Sequence, residues 1–158
     1  MPHIHDLIDF IVDAYIVHNN SVLLILHKKL KIWLPIGGHI ELNEDPDEAL
    51  MREIKEECGL EVEILANRLN RNDPNHKHLF TPSYLNIHKV GDKPNEVHKH
   101  VGLIYFARAK SDKFKLAEDE HDDIRWFDAE KLNDQKYNIL PIVQFYAKEA
   151  LKRASEHD

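Results

Sequence analysis

The stretch from Gly38 to Leu60, GHIELNEDPDEALMREIKEECGL, constrains this chain more than any other. It predicts a loop, a short helix and a second loop. Asp45 carries the short acceptor side chain of an N-cap. Pro46 fits the first helical turn, where a missing N–H leaves no bond unmade. The helix then runs to about Cys58, and Gly59 stops it. Residues three and four apart share a helix face, so Glu53, Glu56 and Glu57 point the same way. Leu50, Ile54 and Cys58 form an apolar stripe about a quarter turn from the acids, able to pack on a sheet while the carboxylates look along its edge. Like charges on one turn repel, at roughly 0.2–0.5 kcal/mol per exposed pair. A solvated charged face, partly compensated by Arg52 and Lys55, is one reading. A hard-cation site is the other, since clustered carboxylates are what Mg2+ or Mn2+ takes from a protein.

Spacing favours the cation. The stretch resembles the Nudix box, G-x5-E-x7-R-E-U-x-E-E-x-G-U with U a bulky apolar residue. Gly38, Glu44, Arg52, Glu53, Ile54, Glu56, Glu57, Gly59 and Leu60 fill every defined position. The resemblance implies hydrolysis of a nucleoside diphosphate linked to another moiety, X, with divalent cations. It also implies an α/β/α sandwich, an α/β fold with a mixed sheet between helices, formed by residues 1–158 as one domain. Glu53, Glu56 and Glu57 are the candidate ligand set for Mg2+ (or Mn2+), and the resemblance adds the backbone carbonyl of Gly38. Arg52, with its rigid fork, is expected to orient acids such as Glu44 or Glu56. Gly37 and Gly38 permit a tight loop and close backbone approach. One departure is local: many members carry Pro-Gly-Gly before the box, and here it is Pro35-Ile36-Gly37-Gly38.

Composition narrows the partners. A net charge of −7 gives no electrostatic footprint for long nucleic acids. A small anionic nucleotide remains compatible, because a metal supplies local positive charge. The single cysteine, Cys58, excludes an internal disulfide and reads as a packed thiol in a reducing compartment. Asp6, Asp9 and Asp13 interrupt the early apolar run, so no signal peptide is expected. No segment has the apolar length of a membrane span, so the expected location is cytoplasmic. Oligomeric state is open, with a homodimer compatible.

The rest of the chain reads mostly as strands. Residues 1–8 form a solvated lead containing His3 and His5. DFIVDAYIV (9–17) and VLLILH (22–27) predict an antiparallel pair around the Asn19-Asn20-Ser21 turn, the second strand buried on both faces. Trp33, ahead of the box, is either a core residue or a base-stacking one. EVEILANRL (61–69) predicts a strand, and 70–82 a polar loop of the long kind that is often functional; the resemblance implies that residues after the box help choose the substrate. A strand over 84–90 and a turn at 91–95 precede a long strand over 97–109, with His98, His100, Ile104 and Phe106 on one face. A polar stretch over 110–123 leads to a short strand at Arg125-Trp126-Phe127 and a turn or small helix over 128–132. Pro141 to Arg153 predicts a helix with an apolar side of Ile142, Phe145, Tyr146 and Leu151.

Twelve histidines, with His76-x-His78 and His98-x-His100 among them, raise the question of zinc. No Cys pattern and no H-E-x-x-H helix accompany them, so no dedicated zinc site is expected. His39 and His100 are candidates to touch substrate phosphate. The general base is open among Glu56, Glu57, Glu118 and Glu120. Glu120 is favoured because its distance ahead of Trp126 resembles the family arrangement. The rival to an enzyme is a nucleotide sensor without turnover, which would not need all three box carboxylates.

Overall fold

Asn19 and Asn20 both adopt positive φ, 44° and 58°, the left-handed conformation that asparagine tolerates better than most residues. Their two-residue turn folds β1 (Ile8–His18) back on β2 (Ser21–His27), pairing Val17 with Val22. The computed structural model describes residues 7–91, 98–119 and 121–156. Beyond this hairpin come β3 (Trp33–Leu34), β4 (Ile36–His39), α1 (Pro46–Glu57), β5 (Val62–Ile64), β6 (Tyr84–Lys89), β7 (Lys99–Ala109), β8 (His121–Phe127), α2 (Ala129–Asn133) and α3 (Pro141–Ser155).

The sheet is mixed. β1 and β7 run parallel in unbroken register from Ile8 opposite Lys99 to Val17 opposite Arg108, and every other strand pair is antiparallel. Two apolar layers sandwich it. On one face Leu50, Ile54 and Cys58 of the first helix region pack on Val12, Ala14, Ile16 and Tyr105. On the other, Val143, Tyr146, Ala147 and Ala150 of α3 pack on Tyr15, Val17, Ile104 and Phe106. This is the expected α/β arrangement of a mixed sheet between helices.

Three expectations shift, and one alternative closes. The strand expected over 61–69 ends at Ile64. Past it the chain is drawn toward Asp47, which takes Arg68 in an ion pair and the Phe80 N–H at 3.1 Å. The strand expected at Arg125 begins at His121, since Asp122 and Arg125 are its exposed positions while His121, Ile124 and Phe127 are buried. The sheet-facing side of α3 is the expected one only in part: Tyr146 is buried and Leu151 packs partly buried on the core, but Ile142 and Phe145 are exposed, and Val143, Ala147, Ala150 and Ala154 bury beside Tyr146. Alanines let a helix sit close to a sheet, which large side chains at those positions would prevent. Trp33, 5% exposed, packs edge-on against Phe127 with ring centroids 4.8 Å apart, which makes it a core residue and not a base-stacking one. His3, His5, Asp6, the turn beyond Gly91, Val97 and Glu120 lie outside the described residues.

Candidate functional site

α1 is built as its sequence requires. The Asp45 carboxylate accepts from the Asp47 and Glu48 N–H groups at 2.9 and 3.1 Å, and Glu48 reaches back to the Asp45 N–H at 2.9 Å. Pro46 occupies the first turn. At the far end Gly59, at φ 64°, donates its N–H to the Ile54 carbonyl. The helix is thereby fixed at both ends, and its apolar stripe sets its rotation against the sheet.

β4 completes the site from the other side. It pairs with β1, setting Gly38 opposite Val12 and Gly37 opposite Asp13. A Cβ on Gly38 would collide with the Glu53 carboxylate, and one on Gly37 with the Val12 carbonyl. Gly37 thus lets β4 lie against the β1 backbone, and Gly38 leaves room for the Glu53 carboxylate of the box helix.

Arg52 organises the acids. Its guanidinium forks onto Glu44, Nε to Oε1 at 2.8 Å and Nη2 to Oε2 at 3.0 Å. Nη1 donates to Glu53 at 2.7 Å and to Glu56 at 3.2 Å, and Nη2 also reaches the His39 carbonyl at 2.9 Å. Hydrogen bonds from Arg52 hold the Glu44 carboxyl below its ordinary range. Burial pushes Glu53 up, against the pull of Arg52 and with help from the charges on Glu57 and Glu56.

The three box carboxylates sit in different surroundings. Glu57 is buried; it accepts the Gly37 N–H at 2.7 Å, and its other oxygen lies 2.8 Å from His121 Nε2. Glu53 is largely covered, while the Glu56 side chain is 59% exposed. Nearby, burial and then the Glu57 charge push Asp13 up to about 7. Crowded, partly desolvated carboxylates with one shared guanidinium retain an unmet demand for positive charge.

Two members of this group were not singled out from sequence. His121 sits inside an acidic run, between Glu118-Asp119-Glu120 and Asp122-Asp123, and reads as loop. Asp13 did carry a signal, since a lone charge inside the apolar run DFIVDAYIV is unusual on a strand.

The remaining candidates fall elsewhere. His39 and His100 meet each other, Nε2 to Nε2 at 3.2 Å. Strand alternation sends His39 to the sheet face opposite its neighbour Gly38, so they converge away from the box acids. His98 and His88 join them, with ring centroids 5.2 and 5.6 Å from His100. Burial, then the nearby charges of His39, His88 and His98, lower His100 to about 4. His76 and His78 do not pair with each other; His78 bonds Asp73 at 2.7 Å and His76 the Pro74 carbonyl at 2.9 Å. Glu118 is exposed, and its backbone carbonyl accepts from Lys28 at 3.0 Å. A cleft lined by Ser83, Tyr84, Phe106, Glu149, Lys152 and Arg153 lies by α3 and includes no box residue. No described helix is long and apolar enough to cross a membrane.

Comparison with known proteins gives matches over most of the chain. A NUDIX domain model matches residues 10–147. The crystal structure of a NUDIX-family hydrolase from Clostridium perfringens is 37% identical, covering 91% of this chain and 96% of that one, with a TM-score of 0.73. A MutT NUDIX hydrolase from Burkholderia pseudomallei shares the fold at 22% identity, covering 94% and 98%, with a TM-score of 0.63. Among curated proteins, "Putative ADP-ribose pyrophosphatase YjhB" of Bacillus subtilis is 32% identical over 75 residues. That match spans 48% of this chain and only 35% of the relative.

Proposed function

The chain belongs to the Nudix family, and from that premise we propose that it hydrolyses a nucleoside diphosphate linked to another moiety. The products are a nucleoside monophosphate and a phosphorylated remainder, or pyrophosphate. The observation that carries this reading is the three-carboxylate face of α1 closed against Gly38.

Among the described residues only Asp9, His98 and His100 bring three ligand atoms within 4.8 Å of one another, so the match of the box acids to a divalent cation rests on their donor chemistry. Glu53, Glu56 and Glu57, with the Gly38 carbonyl, would hold Mg2+ or Mn2+, because hard oxygen donors suit hard cations. When bound, the cation supplies charge neutralisation for the diphosphate and acidification of water. Arg52 fixes the positions of Glu44, Glu53 and Glu56 by bonding them all. The Gly37 N–H anchors the Glu57 carboxylate. Glu56 is the most open of the three and can take a proton from water. Glu120 remains the favoured base, with Glu56, Glu57 and Glu118 as alternatives.

The substrate is a small nucleotide. The name of the Bacillus subtilis relative puts ADP-ribose in the first panel, beside nucleoside triphosphates, nucleotide sugars and dinucleoside polyphosphates. The test is turnover of that panel with Mg2+ in 18O-labelled water. Label in a phosphate product, and loss of turnover by orders of magnitude in Glu53→Gln and Glu57→Gln, are expected. Label only in a non-phosphate product would reject attack on phosphorus. Tight nucleotide binding with no labelled product from any compound would favour a sensor.

A further inference from the structure

We infer that Asp9, His98 and His100, with His39 beside them, form a second metal site, built for a zinc-class ion and separate from the box. The sheet assembles it from distant parts of the chain. The β1–β7 register sets Asp9 directly opposite His100, and the β1–β4 register brings His39 opposite Ile11, two residues along the same face as Asp9. His88 is opposite His100 on the next strand, its ring held by Nδ1 on Asn86 Oδ1 at 3.0 Å. Four neighbouring strands thus contribute to one patch.

The spacing suits a small tetrahedral cation. Bonds of about 2.0–2.1 Å place tetrahedral ligand atoms roughly 3.3–3.5 Å apart. Here His98 Nε2 lies 2.8 Å from Asp9 Oδ2, His39 Nε2 lies 3.2 Å from His100 Nε2, and His39 Nε2 lies 3.7 Å from Asp9 Oδ2. Ligand atoms of Asp9, His98 and His100 all lie within 4.8 Å of one another. The measured separations bracket the tetrahedral value, so small side-chain rotations would complete the geometry.

Donor chemistry separates this site from the box. Imidazole nitrogens with one carboxylate favour zinc and its neighbours, whereas all-oxygen sites favour Mg2+. Position separates them too. Gly38 and His39 are adjacent on β4 and face opposite sides of the sheet, the first toward Glu53 and the second toward this cluster. Neither a Cys pattern nor an H-E-x-x-H helix marks the site in the sequence, because long-range strand pairing gathers its ligands.

The test is zinc uptake by the full chain, without an added histidine tag, stripped with EDTA and dialysed against Zn2+ under saturating Mg2+. One tightly held Zn2+ per chain is expected, and Co2+ in its place should give the visible absorption of a tetrahedral nitrogen and oxygen site. Asp9→Asn and His98→Ala should each weaken uptake by about tenfold or more. Paired Glu53→Gln and Glu57→Gln substitutions should leave it intact. Thermal unfolding in EDTA checks that the variants are folded, and the near-isosteric Asp9→Asn keeps the test valid if His98→Ala is not. Absent stoichiometric uptake, uptake unchanged in Asp9→Asn and His98→Ala, or loss only in the glutamate variants would each overturn the assignment.

Discussion

Arg52→Met tests the idea that one guanidinium holds the acidic face together. Methionine keeps much of the stem and removes every donor. Arg52 makes five hydrogen bonds, four of them to carboxylates. The bond to Glu56 counts for little, because that side chain is largely exposed. Glu44 and Glu53 differ, with side chains 14% and 12% exposed. Removing one partner of a buried pair costs about 3–5 kcal/mol, because the remaining charge is left uncompensated. Arg52 is itself 22% exposed, so water would enter, and about 2–4 kcal/mol is the scaled expectation. With a urea m-value near 2 kcal/mol/M, the midpoint should fall by about 1–2 M in EDTA. The loss should depend on pH. The wild-type Glu44 pKa is lowered, so its contribution is present above the unfolded carboxylate pKa and lost as pH falls through the folded one. The gap between wild type and variant should therefore narrow in acid. Arg52→Lys, lacking the fork, should fall between the two. A loss below about 1 kcal/mol at pH 7, or a gap constant down to acid, would refute the reasoning.

Three further outcomes are expected. Trp33→Ala should cost about 3–5 kcal/mol of stability while leaving KM for an accepted nucleotide unchanged, and a raised KM at normal stability would restore a stacking role. In EDTA, native Asp13 titrates near 7 against about 4 when unfolded, so the native state binds the extra proton and stability falls as pH rises through that window. Asp13→Asn should flatten that slope, and an unaltered slope in urea titrations at pH 5 and pH 7.5 would count against it. Glu120→Gln should lower kcat by roughly 10²–10⁴-fold, flatten the acidic limb of the pH–rate profile and leave Mg2+ affinity less affected. Full kcat and the same limb, with both lost in Glu56→Gln, would place the base in the box.

What sequence could show was set by how local each signal is. The box helix was legible because Asp45, Pro46 and Gly59 mark its ends within a few residues and the acids repeat at helical spacing. The β1–β2 hairpin was legible because two adjacent asparagines name its turn. The early start of β8 was not, since Asp122, Asp123 and Arg125 make half a strand look like a loop. The inward face of α3 was legible at Tyr146 and Leu151 only, because contact with the sheet otherwise selects small residues, whose apolar signal is weak. The raised pKa of Asp13 and the convergence of Asp9 with His100 depend on neighbours far along the chain, and no local pattern carries them.

The loop over 70–82 is not an independent flap. Lys77 reaches the cap residue Asp45 and, at 3.7 Å, Glu48. Phe80 donates its N–H to buried Asp47, whose other partner Arg68 lies over the Phe80 ring at 3.7 Å. The first turn of α1 and this loop therefore share their acids. Lifting the loop away would strip Asp47 of a backbone donor in a buried setting, at about 1–3 kcal/mol. Opening and fraying then become one event, and hydrogen exchange should report both segments with a common rate. A ligand large enough to displace the loop would be felt along the helix that carries the carboxylates.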